Sequence, residues 1–314
     1  MRNKISRRNA LAQAGLIAGA TLLSKASQAQ GTDMPAKRAS FRFCLNTATI
    51  RGQKLGIVKE LEVTAKAGYD SIEPWIGTIE EYVKGGGTLQ DLKQRVIDSG
   101  LTIESAIGFA EWIAEDESRR KQGLERAKHD LDMLAQIGGK RLAAPPSGAT
   151  NSPKLDLLVV AERYRALLEA GDQVGVIPQV ELWGFSQNLH RLGECVFVAV
   201  ESAHPKACIL ADIYHIYKGG SDFRGIHLLG PGAIPVLHIN DYPNDPPREK
   251  IDDSHRVYPG DGVAPVKEIL RLLRQTGGQT VLSLEIFNRT YWKEDPLEVA
   301  KTGLAKVKAM TQAL

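Results

Sequence analysis

From residue 41 onward the chain alternates short apolar, β-rich runs with longer segments in which apolar residues return every three or four positions. The runs predict strands over 43–47, 71–74, 102–107, 141–144, 177–182, 208–213, 235–239 and 281–286. The longer segments predict helices over 57–67, 89–99, 117–137, 155–174, 189–203, 265–275 and 297–310, with a shorter one over 222–229. Several end where a helix should stop, at Gly68, Gly100, Gly138-Gly139 and Gly277-Gly278. Strand–helix alternation within one domain implies a parallel sheet. Eight such units predict an α/β fold closed into a (β/α)8 TIM barrel. An open doubly wound sheet is the alternative, but no GxGxxG follows the first strand.

The first thirty residues follow a different pattern. Five basic residues (Arg2, Lys4, Arg7, Arg8, Lys25) and no acidic one accompany a weakly apolar stretch over 10–23 and a small-residue site, Ser27-Gln28-Ala29. This is the layout of an export signal peptide over 1–29, cleaved near Ala29, with a linker over 30–40 and one domain over 41–314. The apolar stretch is too short and dilute for a stable membrane span, which needs about 20 residues. The Arg7-Arg8 pair resembles a twin-arginine signal, read by an export receptor, with Ala10 and Ala12 departing from the usual pattern. A periplasmic or secreted bacterial protein is expected.

Composition narrows the chemistry. The 314 residues are 43% hydrophobic and 25% charged, as in an ordinary globular protein, with a formal charge of +3. All of that basicity belongs to residues 1–29; without them the balance is −2. Nucleic acid is therefore not an expected partner. Three Cys cannot build a disulfide framework, and no CxxC or HExxH offers a zinc site.

The informative residues close the last four strands: Glu181, Asp212, His238 and Glu285, each after an apolar run. Buried charges need a partner or a metal. Four of them on adjacent strands, at the barrel face that carries active sites, predict a site. Three carboxylates and one imidazole suit one divalent ion, Mn2+ first, with Mg2+ or Co2+ as alternatives. The competing interpretation is a buried salt-bridge network using Arg256 or Lys218.

The order Glu…Asp-x-x-His…His…Glu on these strands resembles the xylose isomerase-like TIM barrels of the sugar phosphate isomerase/epimerase superfamily. Arg256-Val257-Tyr258-Pro259-Gly260-Asp261-Gly262 resembles that family's Arg-x-x-Pro-Gly-Glu/Asp-Gly loop, and Gly68-Tyr69-Asp70-Ser71-Ile72-Glu73 its second-strand signature. The resemblance implies Glu181, Asp212, His238 and Glu285 as metal ligands and His215 as a substrate contact. It also implies Glu181 and Glu285 as catalytic carboxylates on opposite faces of a substrate carbon. The implied reaction is proton abstraction beside a carbonyl through an enediolate: isomerisation, epimerisation, or β-elimination from a keto-glycoside. Ketohexose epimerases of the family carry a Glu and an Arg where this chain has Gln187 and Asn244, so Arg256 or Arg248 is the expected replacement cation. Endonuclease IV, on the same fold, needs a His-rich three-zinc site that seven His do not supply here.

All four Trp (75, 112, 183 and 292) fall just past predicted strands. They predict an aromatic-walled pocket, with Trp112 and Trp183 as substrate contacts, suited to a glycoside more than to a sugar phosphate. The expected partner is a small carbohydrate, and a homo-oligomer is compatible with the sequence. A non-catalytic, metal-containing carbohydrate-binding barrel is the alternative from another class; the paired Glu181 and Glu285 favour the enzyme.

Overall fold

A computed structural model describes residues 41–312 and Leu314. The expected signal and linker lie outside the described residues. Eight parallel strands form one sheet: β1 (Arg42–Asn46), β2 (Ser71–Glu73), β3 (Thr102–Ile103), β4 (Arg141–Ala144), β5 (Ile177–Glu181), β6 (Ile209–Asp212), β7 (Val236–Ile239) and β8 (Val281–Leu284). Their order is β3-β2-β1-β8-β7-β6-β5-β4. The β3–β4 seam is joined by backbone hydrogen bonds from Lys140, Ala106 and Ala143 to Ile103, Arg141 and Ala106 respectively. The helices are α1 (Ile57–Ala67), α2 (Ile76–Lys84), α3 (Leu89–Asp98), α4 (Glu117–Gln136), α5 (Leu157–Val174), α6 (Leu192–Glu201), α7 (Ile213–Lys218), α8 (Val266–Gln275) and α9 (Pro296–Gln312). None of the described helices is long and apolar enough to cross a membrane.

The sequence dictates much of this locally. In α8 the buried residues are Val266, Ile269, Leu270 and Leu273, the spacing of one helix face laid on the sheet. Gly68 ends α1 at φ 89°, a left-handed conformation that a side chain would strain. Along the strands, alternation sends Leu45, Ile72, Leu237 and Leu282 outward to the helices. It turns Asn46, Glu73, Asp212, His238 and Ser283 inward, where they bond one another. The top of the barrel interior is therefore polar, above a lower apolar layer of Cys44, Leu210, Val236 and Val281.

Three local features differ from the sequence expectation. A helix, α2, precedes α3 in the second unit. The helix expected over 222–229 is a 3-10 turn, Phe223–Leu228, preceded by α7. That helix starts at once after β6 because Asp212 caps it, its Oδ1 accepting from the His215 N–H at 3.0 Å. The third strand breaks at Glu104-Ser105, where the buried Glu104 carboxylate draws Arg42, Lys140 and Arg141 around it.

Candidate active site

The strand ends converge on a cavity of about 190 Å3 lined by Trp75, Ile107, Phe109, Glu181, Trp183, Phe185, His215, Asp253, Arg256, Glu285 and Phe287. A larger groove of about 610 Å3 opens at the other end of β6, beside Val196, Val200 and Leu228. It holds none of the acidic and imidazole residues singled out above, so the chemistry belongs to the smaller cavity.

At the base of the cavity, Asp212, His238 and Glu285 each present one ligand atom, all within 4.8 Å of one another. His238 Nδ1 lies 3.0 Å from Glu285 Oε2 and 3.6 Å from Asp212 Oδ2. Glu181 faces the same cavity but stands outside this compact trio. Its Oε2 is buried with no hydrogen-bond partner. An orphaned carboxylate oxygen beside a close O, N, O trio is the donor set of a hard or borderline divalent ion, so the residues fit one.

The pocket's electrostatics follow from burial and crowding. Desolvation pushes Glu181 up to about 8, aided by Glu285 and Glu73 and opposed by His238. Desolvation also raises Glu285, against the pull of His238 and Arg256. Burial would raise Asp212 as well, but Arg256, His215 and His238 outweigh it and hold it well below its ordinary value. Burial alone would lower His238; Glu285 and Glu73 reverse that and raise it. His215 is pushed down to about 4, first by desolvation and then by Arg256, against the opposing pull of Asp212 and Asp253. It is a neutral imidazole at pH 7.

Arg256 is not the free substrate-binding cation expected from sequence. Its side chain is fully buried, with Nη1 2.8 Å from Asp212 Oδ2 and 2.9 Å from Glu285 Oε2. Its Nη2 donates to His215 Nε2 at 3.0 Å and pairs with Asp253. Arg256 thus forms the ion-pair network weighed as the competing interpretation, around the same carboxylates. Lys218 takes no part; it donates to the carbonyls of Arg248, Glu249 and Ile251. With Nε2 accepting from Arg256, His215 carries its proton on Nδ1, which has no protein partner and is free for a substrate oxygen.

The loop bearing Arg256 is fixed by Asp241, which sequence reasoning missed. Its carboxylate accepts the N–H groups of Gly260, Gly262 and Ala264 at 2.8–3.1 Å. A Cβ on Gly262 would run into Asp241 and the Tyr242 carbonyl, so the loop requires glycine there. Glu73 and Asn46 were also missed. Asn46 Nδ2 donates to both Glu73 Oε2 and Glu285 Oε1, at 3.0 Å each. Both residues carried the signal used elsewhere, a polar residue closing an apolar strand.

The aromatic wall is real but differently composed. Trp75 and Trp183 line the cavity, as do Phe109, Phe185 and Phe287. Trp112 corrects the expectation: it is 2% exposed, packs on Tyr164 and donates from Nε1 to the Pro145 carbonyl. It anchors its loop. Trp292 does the same, donating to the Ala48 carbonyl.

A family model for the xylose isomerase-like TIM barrel matches residues 61–310. The chain belongs to that family. One similar protein is the inosose isomerase of Halalkalibacterium halodurans, 24% identical over 267 residues, covering 83% of this chain and 93% of that protein. Another is the 3-dehydro-D-guloside 4-epimerase of Escherichia coli K12, 23% identical over 237 residues, covering 69% of this chain and 83% of that one. The fold is shared with the crystal structure of the IOLI protein with a binding zinc atom, at a TM-score of 0.80 and 21% identity, covering 86% of this chain and 98% of that one.

Proposed function

We propose that this barrel is a metal-dependent enzyme that isomerises or epimerises a keto-sugar or keto-glycoside by moving a proton beside the carbonyl. One observation carries the reading: Glu181, Glu285 and His215 line a single cavity, Asp212 and His238 are buried with ligand atoms within 4.8 Å of that of Glu285, and His215 Nδ1 has no partner. The isomerase and epimerase names of the relatives support it.

Asp212, His238 and Glu285 would hold the ion, with Glu181 completing the set. When bound, a divalent ion supplies Lewis acidity to a carbonyl oxygen and its neighbouring hydroxyl. Mn2+ remains our expectation from the donor types. Glu181 lines the cavity outside the compact trio, with one carboxylate oxygen unpartnered, and is placed to exchange a proton with the substrate carbon. Glu285 is the second carboxylate of the pair. The Nδ1–H of His215 orients a substrate oxygen, and Arg256 locks that tautomer while balancing the carboxylate charge. The aromatic wall keeps water from the carbon acid. Export by the twin-arginine route stays part of this proposal, on the strength of Arg7-Arg8 and the residues after them.

The test is exchange of solvent deuterium into a methyl 3-keto-glucoside in the presence of Mn2+, with the Glu181→Gln and Glu285→Gln variants. An amide cannot accept the proton, so each variant should lose at least ~10²-fold at saturating metal. Full recovery of both variants on adding metal would remove the two-carboxylate mechanism.

A further inference from the structure

The aromatic residues form a continuous arc. Ring centroids are 5.1 Å apart between Trp75 and Phe109, 6.1 Å between Phe109 and Trp183, and 5.2 Å between Trp183 and Phe185. Phe185 then meets the ring of His215 edge-on at 5.5 Å. All four rings line the cavity, and two of them are half-exposed. Phe109 and Phe185 are 46% and 43% exposed, far more than the buried acids and imidazole beneath them, so they form the rim.

The cavity itself, at about 190 Å3, is smaller than the ~300–1,000 Å3 that houses a drug-sized ligand. It has room for little more than one sugar ring. Phe109 and Phe185 are the most exposed residues lining it, so a group attached to that ring meets their faces on its way out. Those rings offer carbon faces and no hydrogen-bonding group. The Trp75 N–H is directed to Asn46 Oδ1 at 3.4 Å, and the Arg51 guanidinium lies over the Trp75 ring, 3.9 Å from its centre. A second sugar on the arc would gain only C–H contacts from these rings, whereas a flat aromatic group can lay its whole face on them. Of the cations nearby, Arg256 is already committed to Asp212, Glu285 and Asp253, and Arg51 is stacked on Trp75.

We infer that the Phe109–Trp183–Phe185 arc is an aglycone subsite, and that the substrate is a glycoside carrying a flat, uncharged aromatic group. This rests on the function proposed above, since it assumes that the glycone occupies the cavity. The aromatic group would stack on the rim with the offset geometry that aromatic pairs favour.

Binding can be measured apart from turnover. Calorimetry on the Mn2+-loaded protein would compare 4-nitrophenyl and methyl β-D-glucopyranoside, neither of which has the carbonyl needed for reaction. The aryl glucoside should bind about 10-fold tighter. Phe109→Ala and Phe185→Ala should each weaken aryl binding about 3- to 10-fold and pull the aryl-to-methyl ratio toward one, with unchanged circular dichroism. Equal affinity for the two glucosides, or variants that weaken both ligands alike, would overturn the subsite. Absence of deuterium exchange with any keto-glycoside would instead overturn the proposed chemistry, and the binding ratio would still decide the subsite.

Discussion

Glu73 and His238, on β2 and β7, meet across the barrel interior with Oε2 3.0 Å from Nε2 and neither side chain exposed. Glu73 also accepts from Ser283 Oγ at 2.6 Å and from Asn46. The carboxylate thereby keeps the His238 proton on Nε2 and turns Nδ1 toward Asp212 and Glu285. A carboxylate behind a ligating imidazole fixes its tautomer and raises its basicity.

Replacing Glu73 with Ala should therefore weaken metal binding about 10- to 100-fold. A competition titration with a chelating dye would measure it. Unaltered affinity would mean that Glu73 serves packing alone.

Asp212 has two jobs that two variants can separate. Its Oδ1 caps α7, and its Oδ2 faces His238 and Arg256. Asp212→Ala should lose the metal and also the cap, the latter costing about 0.5–2 kcal/mol of stability. Asp212→Asn can still cap the helix, so metal content should fall with a smaller loss in denaturant midpoint. Full metal occupancy in the Ala variant would exclude Asp212 as a ligand.

A stability effect is expected far from the site. Glu60 is buried on α1 with Oε2 unpartnered. Desolvation pushes its carboxyl from 4.5 up to about 7, with help from Glu81 and opposition from Arg51. A carboxyl raised in the folded state favours folding below its unfolded value and loses that advantage as pH rises from about 4.5 through 7. Glu60→Gln cannot ionise, so it should gain on the order of 1–3 kcal/mol over the parent at pH 8 and little at pH 5. Urea unfolding at the two pH values reads the difference. An equal gap at both would refute it.

For export, exchanging Arg7 and Arg8 for Lys preserves charge while removing what the twin-arginine receptor reads. Periplasmic yield, followed by fractionation and blotting, should collapse. An unchanged yield would assign the segment to another route.

The sequence was most legible where chemistry interrupts an apolar run. Asp212, His238 and Glu285 end buried strands, and no packing argument explains a charge there; the structure brings them together. Glu73 obeys the same rule on a strand of three residues, too short to stand out. The four Trp were harder to read because a position past a strand end does not give side-chain direction. The N–H of Trp112 found the Pro145 carbonyl and took the ring into the core, whereas Phe109 and Phe185 stayed at the rim. Arg256 misled for a related reason. Its motif fixes its loop, through Asp241, but nothing in the motif states that three carboxylates and an imidazole already hold the guanidinium.

The break in the third strand has a consequence for how the molecule would fail. A closed barrel has no edges, but β3 has two residues and the seam to β4 rests on a few backbone bonds at Ile103 and Ala106. Glu104, gathering Arg42 from β1, Arg141 from β4 and Lys140 just before it, is the pin across that join. Without it, three cations would repel one another at the bottom of the seam, and β3 and β4 would become two free strands with unpaired backbone. Exposed strands of that kind recruit other chains. Damage at Glu104 would then show as self-association and lost solubility well before it showed as a poorer catalyst, although the residue touches neither substrate nor surface partner.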